Sequence, residues 1–388
     1  MTSPSPIALY EGEILETIEN APTLLYFIRG SDANKPLVVF IPGAYHLGRI
    51  GYGGHQNCKS SDFLAHWFQK SGYNFLAVSY PLECSPPVMP TTRPDFAVRE
   101  WGAQAAEATR QTIEQKGLSN KRVVLMFWSM AGKILHPYAL EARSRGLNLE
   151  LAVSLVATPA LRGVRERAPN TVASASGYAF SVTYKPLFLG QLHEQNSIND
   201  GREIIPDDIY VREYMGYFPI SMGAFGLRYS KQEDKLVEDR DIGFEVADEV
   251  GPADLPFLGA IVGDSPLDFR HSVADKATWG FIMTYQLMAA VDKLLPLPLP
   301  DANLKLSAEE LRSLAAREKT LWMSKNRDKA EKIMKVIQET VDSLIFVVHG
   351  NHHLFIGERG AKQTMESTME LLARIEHFKA NLATILAV

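Results

Sequence analysis

The chain has 388 residues, of which 46% are hydrophobic and 22% charged, and its formal net charge is −5. This length is enough for one large domain with insertions or for two ordinary domains, and the composition excludes global disorder. The mildly acidic balance, without a run of Lys or Arg, argues against a nucleic-acid partner.

Strands alternate with helices over the first 159 residues. Apolar strands are predicted at 23–28, 37–41, 74–80, 123–128 and 149–156, with helices at 61–70, 95–116 and from Ser129 to about Arg145. Alternation of this kind predicts a parallel sheet whose strands are joined by right-handed crossovers.

This rhythm breaks at residues 160–250, which contain no clear buried strand and are rich in Tyr and Phe. We expect a helical cap there, its aromatic residues packing mainly on one another. Strands return at 256–262 and 343–348, separated by a helical excursion over about 272–342. The predicted sheet domain therefore comprises residues 1–159 and 251–388.

The most informative motif is KRVVLMFWSMAG at residues 121–132, where an apolar strand ends in Ser129 and small residues lead into a helix. This pattern is typical of a nucleophile elbow, in which a tight turn holds a serine hydroxyl above the sheet. A helix N-terminus behind the serine also favours developing negative charge. An ordinary helix N-cap is the structural alternative for Ser129.

Two further loops follow predicted strands and carry carboxylate and imidazole side chains that could act together with the Ser129 hydroxyl. The first offers Asp264 and Asp268, and the second offers His352 and His353. The carboxyl ends of parallel strands meet at one edge of a sheet, so these loops should gather near Ser129. A serine hydroxyl needs an imidazole to accept its proton, and the imidazole needs a carboxylate to orient it. We prefer Asp264 slightly over Asp268 and His352 over His353.

The strand order, the elbow, the acid loop and the late histidine loop together resemble the α/β-hydrolase superfamily, in particular its serine esterases and thioesterases with a helical cap. The resemblance covers most of the chain outside 160–250 and 272–342. It implies a mostly parallel, eight-stranded sheet with helices on both faces, a Ser–His–Asp triad and a cap. It also implies an oxyanion hole formed by the backbone N–H groups of Ala44 and Met130.

Two positions depart from the pattern of that family. Phe127 stands two residues before the serine, where a small residue is usual, and Pro266 stands where the acid is often found. His46 and His55 follow the predicted oxyanion loop, and we expect them to be partly exposed structural residues rather than substrate contacts.

The function predicted from these residues is that of a serine hydrolase that cleaves an ester or thioester with a bulky apolar acyl group through an acyl-enzyme. No cofactor is expected, and no group of His, Cys or carboxylate residues shows metal-ligand spacing. The expected partner is a small-molecule substrate, and the oligomeric state is left open, with a homodimer as one option. The alternatives are a lyase, cyclase or acyltransferase of small-molecule biosynthesis on the same fold, and a non-catalytic ligand-binding homologue.

Location is inferred from absent signals. The N-terminus lacks the basic and apolar regions of a secretory signal, and no apolar stretch is long enough to span a bilayer. The only two cysteines, Cys58 and Cys84, suit free thiols better than a disulfide framework. These features predict a cytoplasmic protein.

Overall fold

The computed structural model describes residues 9–160, 170–223, 225–242, 254–294, 307–309, 312 and 327–387. Parts of the predicted cap, namely 161–169, 224 and 243–250, lie outside the described residues.

Strands of the central sheet and of two small hairpins make up the β-structure. In chain order they are β1 (Glu13–Ile18), β2 (Ala21–Ile28), β3 (Leu37–Ile41), β4 (Phe75–Ser79), β5 (Arg122–Trp128), β6 (Asn148–Leu155), β7 (Thr171–Ala173), β8 (Ala179–Ser181), β9 (Leu227–Ser230), β10 (Lys235–Glu238), β11 (Phe257–Val262) and β12 (Ile345–Val347).

The helices are α1 (Leu64–Lys70), α2 (Val98–Gln115), α3 (Leu135–Ser144), α4 (Tyr184–Ile198), the single turn α5 (Asp207–Ile209), α6 (Phe269–Leu294), α7 (Arg327–Ser343) and α8 (Glu358–Ala387).

Eight strands pair in the order β1-β2-β4-β3-β5-β6-β11-β12. Within this sheet β2 alone runs against the other seven, because both of its pairings are antiparallel and all pairings from β4 to β12 are parallel. All five residues of β3 and of β4 are buried, as expected when helices cover both faces of a parallel sheet. The predicted fold class is confirmed.

The winding of the chain creates a crevice at one edge of this sheet. From β3 the chain passes through α1 to β4 on one side, and α2 then carries it back to β5 on the other side of β3. Right-handed crossovers place these two helices on opposite faces. The loops that follow β3 and β5 therefore diverge at the carboxyl ends of their strands, where ligands bind in open α/β sheets.

In chain order, the insertion between β6 and β11 lies between the sixth and seventh strands of the sheet. Its described residues include α4 and α5, but also the hairpins β7–β8 and β9–β10, so a purely helical cap is a wrong description. These strands have only three or four residues each and no continuous buried run, so they left no strand signal in the sequence. The division into a sheet domain and a cap remains a prediction.

An aromatic cluster ties the insertion to the loop after β3. The Tyr45 ring packs edge-on against Phe218, with centroids 4.7 Å apart, and lies 5.2 Å from the ring of Tyr184. The backbone N–H of Gly216 also donates to the carbonyl oxygen of Tyr45, at 2.9 Å. The insertion is thereby fixed directly above the crevice.

Two simpler expectations concern the thiols and the membrane. Both Cys58 and Cys84 are free. Among the helices that the structure describes, none combines the length and the apolar character needed to cross a bilayer.

Candidate active site

Ser129 occupies a sharp turn between β5 and α3. Its φ is 57°, in a region that L-residues other than Asn, Asp and His seldom adopt. The backbone N–H of Thr158 donates to the carbonyl oxygen of Ser129 at 3.0 Å and holds the turn in place. Strained backbone of this kind clusters at functional sites, and here it lifts the hydroxyl out of the sheet.

Close approaches explain the residue types around this turn. A Cβ atom on Gly43 would lie 2.6 Å from the Cβ of Ser129, and one on Gly132 would lie 2.6 Å from the carbonyl oxygen of Thr158. Phe127, by contrast, is fully buried with its ring 5.4 Å from that of Trp279 on α6. A large residue is tolerated at this position because α6 supplies a packing partner for it.

A chain of hydrogen bonds joins three of the predicted residues. The Oγ atom of Ser129 lies 2.7 Å from Nε2 of His352, whose Nδ1 lies 3.0 Å from Oδ2 of Asp268. The His352 and Asp268 side chains are only 7% and 8% exposed. The indole N–H of Trp128 donates to the carbonyl oxygen of His352 at 2.8 Å, so the residue before the serine also positions the histidine loop.

Asp264 lies elsewhere, which corrects the slight preference for it. Its carboxylate accepts hydrogen bonds from Nδ1 of His349 and from the backbone N–H of Gly350, both at 3.0 Å, and the His349 side chain is exposed. It joins two loops at the surface. A 3₁₀ turn over Pro266–Asp268, capped by the Ser265 hydroxyl, brings the later aspartate back to the imidazole instead.

His353, the alternative base, points into a sealed network. Its Nε2 lies 2.9 Å from the hydroxyl of Tyr210, which lies 2.6 Å from Nε2 of His46, and Nδ1 of His46 lies 2.7 Å from the carbonyl oxygen of Ala44. Burial lowers the pKa of His46 to about 3 and holds the pKa of His353 well below its usual value, so both rings are neutral.

Burial also corrects the expected exposure of His46 and His55. His46 is fully buried, and His55 is 5% exposed with its Nδ1 2.6 Å from the hydroxyl of Tyr214. Each is sequestered by a hydrogen bond to a tyrosine of the insertion rather than partly exposed.

The backbone N–H groups of Ala44 and Met130 belong to residues that line the same cavity as Ser129. Met130 lies in the first turn of a 3₁₀ helix, where amide groups have no acceptor within the helix. The hydroxyl of Tyr80 donates to the carbonyl oxygen of Gly43 at 2.6 Å. Because C=O and N–H point in opposite directions across a trans peptide, this bond orients the Ala44 N–H.

The cavity above Ser129 has a volume of about 410 Å³, within the range of small-molecule sites. Its apolar wall comes largely from the loop after β3 and from α4, including Tyr45, Tyr184 and Phe188. The rings of Tyr184 and Phe188 stack with centroids 5.7 Å apart. Aromatic residues of the insertion therefore face the cavity as well as one another.

Polar groups from α6 and from the turn after Ser129 form another part of the cavity lining. Lys133, Arg270 and His271 all line it. Nδ1 of His271 lies 3.0 Å from a carboxylate oxygen of Asp275. Burial raises the pKa of Asp275 to about 8 and lowers that of His271 to about 3, so this pair is neutral at pH 7.

Asp268, His271 and His352 bring possible ligand atoms within 4.8 Å of one another, the one such group found among the described residues. Both nitrogens of His352 already have hydrogen-bond partners, and Nδ1 of His271 faces Asp275. The proximity of these groups is explained by hydrogen bonding alone.

Several residues at this site were not predicted from the sequence. Lys133 is a cation inside the otherwise apolar sequence that follows Ser129, and this could have marked it for attention. Tyr80 directly follows β4, at the edge of the sheet where the site forms. Nothing in the sequence marks His271 and Asp275, whose role depends on how α6 is placed.

The order of the strands, the serine turn after β5 and the histidine after the last strand define the α/β-hydrolase fold. No protein-family model and no curated protein matches the chain.

Solved structures do resemble it. They include an esterase from Pyrobaculum calidifontis (17% identity, 72% of this chain and 73% of that chain, TM-score 0.37). A thermophilic esterase from Thermogutta terrifontis has 10% identity, 94% and 98% coverage, and a TM-score of 0.44. The thioesterase domain from the curacin biosynthetic pathway has 10% identity, 93% and 100% coverage, and a TM-score of 0.37. Likeness at this level assigns no activity and no residue roles.

Proposed function

We propose that this protein is a serine hydrolase that cleaves an ester or thioester through an acyl-enzyme. The observation that carries the proposal is the chain of hydrogen bonds from Ser129 through His352 to Asp268, at 2.7 and 3.0 Å. These distances suit a nucleophile, a general base and the carboxylate that orients the base.

In this mechanism the Oγ atom of Ser129 attacks the carbonyl carbon while Nε2 of His352 accepts the hydroxyl proton. The N–H groups of Ala44 and Met130 stabilise the oxyanion. The imidazolium then donates the proton to the leaving alcohol or thiol. A water molecule, deprotonated by the same imidazole, attacks the acyl-enzyme and releases the acid, which restores the serine hydroxyl.

The substrate is proposed to carry an apolar acyl part. Support comes from the aromatic wall of Tyr45, Tyr184 and Phe188, and from Leu187 and Phe225 in the same cavity lining. The cavity of about 410 Å³ suits a compact acyl group better than a large polycyclic one.

The short Ser129–His352 contact favours nucleophilic catalysis over the lyase alternative, in which the histidine moves protons alone. The strained turn at Ser129 argues against a non-catalytic binding protein, since a site without catalysis has no need of such strain. An acyltransferase uses the same first half-reaction, so added alcohol acceptors are included in the assay below.

The test is Ser129→Ala, with Ser144→Ala as the matched control. Ser144 lies at the exposed end of α3, where its hydroxyl donates to the carbonyl oxygen of Glu141. We expect Ser129→Ala to lose turnover of aryl esters by on the order of 10⁶-fold and to lose labelling by a fluorophosphonate. Ser144→Ala should keep both.

The melting temperatures of the two variants should stay near that of the unmodified protein. Undiminished labelling of folded Ser129→Ala would exclude this serine as the nucleophile. If ester products form only when an alcohol is added, the chemistry is transfer rather than hydrolysis.

A further inference from the structure

Lys133 is a buried cation in the wall of the catalytic cavity. It lies four residues after Ser129, in the 3₁₀ turn that leads into α3, and is only 8% exposed. No hydrogen bond or ion pair joins its ammonium group to another residue in the described part of the chain. A buried charge without a partner is strongly destabilising, so the fold retains an unfavourable feature here.

Arg270 adds a second positive charge to the lining of the same cavity. It stands at the more exposed start of α6, and its guanidinium donates to the hydroxyl of Thr158 at 3.1 Å. Burial lowers the pKa of Lys133 to about 8, and the positive charge of Arg270 contributes to this. Two cations in the lining of one cavity attract an anion more strongly than either does alone.

The carboxylates in the neighbourhood already have partners. Asp268 accepts from His352, and Asp275 pairs with His271 as a neutral couple. The described carboxylates near the cavity therefore leave Lys133 without a counter-ion, and a ligand can supply the missing negative charge.

We propose that Lys133, assisted by Arg270 at the mouth of the cavity, binds a carboxylate group carried by the substrate. This deepens the proposed function and rests on it. The substrate is then an amphiphilic ester, in which an apolar part lies against Tyr184 and Phe188 and an anionic end lies against the two cations. Planar guanidinium groups suit carboxylates in particular, and an ammonium adds a point charge.

Three aryl esters test this assignment. Phenyl octanoate is neutral, monophenyl suberate carries a carboxylate on the acyl side, and 4-carboxyphenyl octanoate carries one on the leaving group. The unmodified protein should prefer one of the charged esters to phenyl octanoate by about 30-fold in kcat/KM. Which of the two is preferred tells which side of the ester faces Lys133.

The variant Lys133→Met should reduce that preference to near unity. The matched control is Lys276→Met, which removes the same charge from an exposed position on α6 outside the cavity, and it should keep the preference. No preference for either charged ester in the unmodified protein would overturn the proposal. So would a preference that survives Lys133→Met, which would make this lysine a structural residue whose stem packs on the core.

Folding and binding measurements separate the possible causes of failure. Lys133→Met should melt at an equal or higher temperature, because it removes an unpaired buried charge. If it melts lower, Lys133→Gln replaces it in the same comparison.

Binding is measured by calorimetry in the Ser129→Ala background, where the esters stay intact. Tighter binding of a charged ester that depends on Lys133 supports the anion site even when the protein hydrolyses none of the three. Equal binding with and without Lys133 refutes the site even when hydrolysis is observed.

Discussion

Two consecutive histidines, His352 and His353, stand in opposite environments. His352 faces the cavity and lies between a serine hydroxyl and a carboxylate. His353 is fully buried, reaches only the hydroxyl of Tyr210, and its Nδ1 has no hydrogen-bond partner among the described residues. The two imidazoles are adjacent in sequence, yet they contact different groups.

The contrast shows what fits an imidazole for acid–base work. A carboxylate stabilises the imidazolium that forms when the ring accepts a proton, and an open cavity brings the ring to a substrate. The described network of His353, Tyr210 and His46 contains no carboxylate and does not open into the cavity. Burial lowers the pKa of both imidazoles and keeps them neutral. The network is joined to the loop after β3 by the bond from His46 to the carbonyl oxygen of Ala44. We infer that it positions the oxyanion loop.

The largest expected difference concerns the two aspartates. Asp268→Asn should lower kcat by on the order of 10⁴-fold, because an amide no longer fixes the tautomer of His352 or stabilises its protonated form. Asp264→Asn removes the same charge from the surface pair with His349 and should change kcat by less than about 3-fold. Steady-state kinetics of both variants on one aryl ester decide between the carboxylates, and a larger loss in Asp264→Asn would reverse the assignment.

The comparison of these aspartates also shows which residues of the site can be predicted from the sequence. Ser129 and His352 were found because each comes soon after an apolar strand, and the carboxyl ends of parallel strands share an edge. The sheet followed from the same apolar runs. Asp268 is harder to identify, because a 3₁₀ turn separates it from β11 and position 266, where the acid is often found, lies equally far from both aspartates.

Other features depend on contacts between distant parts of the chain. Tyr210 meets His353 across 143 positions of sequence, and no local pattern reports such a contact. The hairpins of the insertion are too short for a periodic signal. Lys133 shows as a charge in an apolar context, yet only the placement of α6 brings Arg270 beside it.

The oxyanion loop provides a test of intermediate size. Tyr80→Phe removes the hydroxyl that donates to the carbonyl oxygen of Gly43, and the Ala44 N–H is then free to turn away from the cavity. We expect kcat to fall by roughly 10-fold, less than for removal of an oxyanion donor, with little change in KM. Single-turnover acylation rates measure this effect directly. A change confined to KM would mean that Tyr80 acts on ground-state binding instead.

Breaking the sealed network should affect stability more than catalysis. Tyr210→Phe leaves the buried Nε2 atoms of His46 and His353 without their shared partner, at an expected cost of about 1–3 kcal/mol in the free energy of unfolding. The kcat should change by less than about 3-fold, because the bond from His46 to the carbonyl oxygen of Ala44 remains. Denaturant unfolding of this variant is compared with Tyr229→Phe, whose hydroxyl bonds the exposed Asp234. A 100-fold loss of kcat in Tyr210→Phe would place the network within the catalytic chemistry.

The smallest effect on activity is expected at the neutral pair behind the site. Asp275→Asn keeps the shape of a protonated carboxyl group and a hydrogen bond to His271, so kcat at pH 7 should stay within about 2-fold. Stability carries the sharper signal. Burial raises the pKa of Asp275 to about 8, whereas the unfolded chain releases this proton near pH 4. The folded state therefore binds the extra proton between these values, and stability falls as pH rises through that window.

The amide of Asp275→Asn does not titrate, so subtraction isolates the proton that the Asp275–His271 pair holds. The melting temperature of Asp275→Asn minus that of the unmodified protein should increase steadily from pH 4 to pH 8. A difference that stays level over this range would show that the folded pair holds no extra proton, with Asp275 ionised beside a neutral His271. A charged His271 would place a second imidazolium beside His352, whose ring centroid lies 4.9 Å away, and would oppose protonation of that ring. The neutral pair avoids this repulsion, because it packs against His352 without adding a charge.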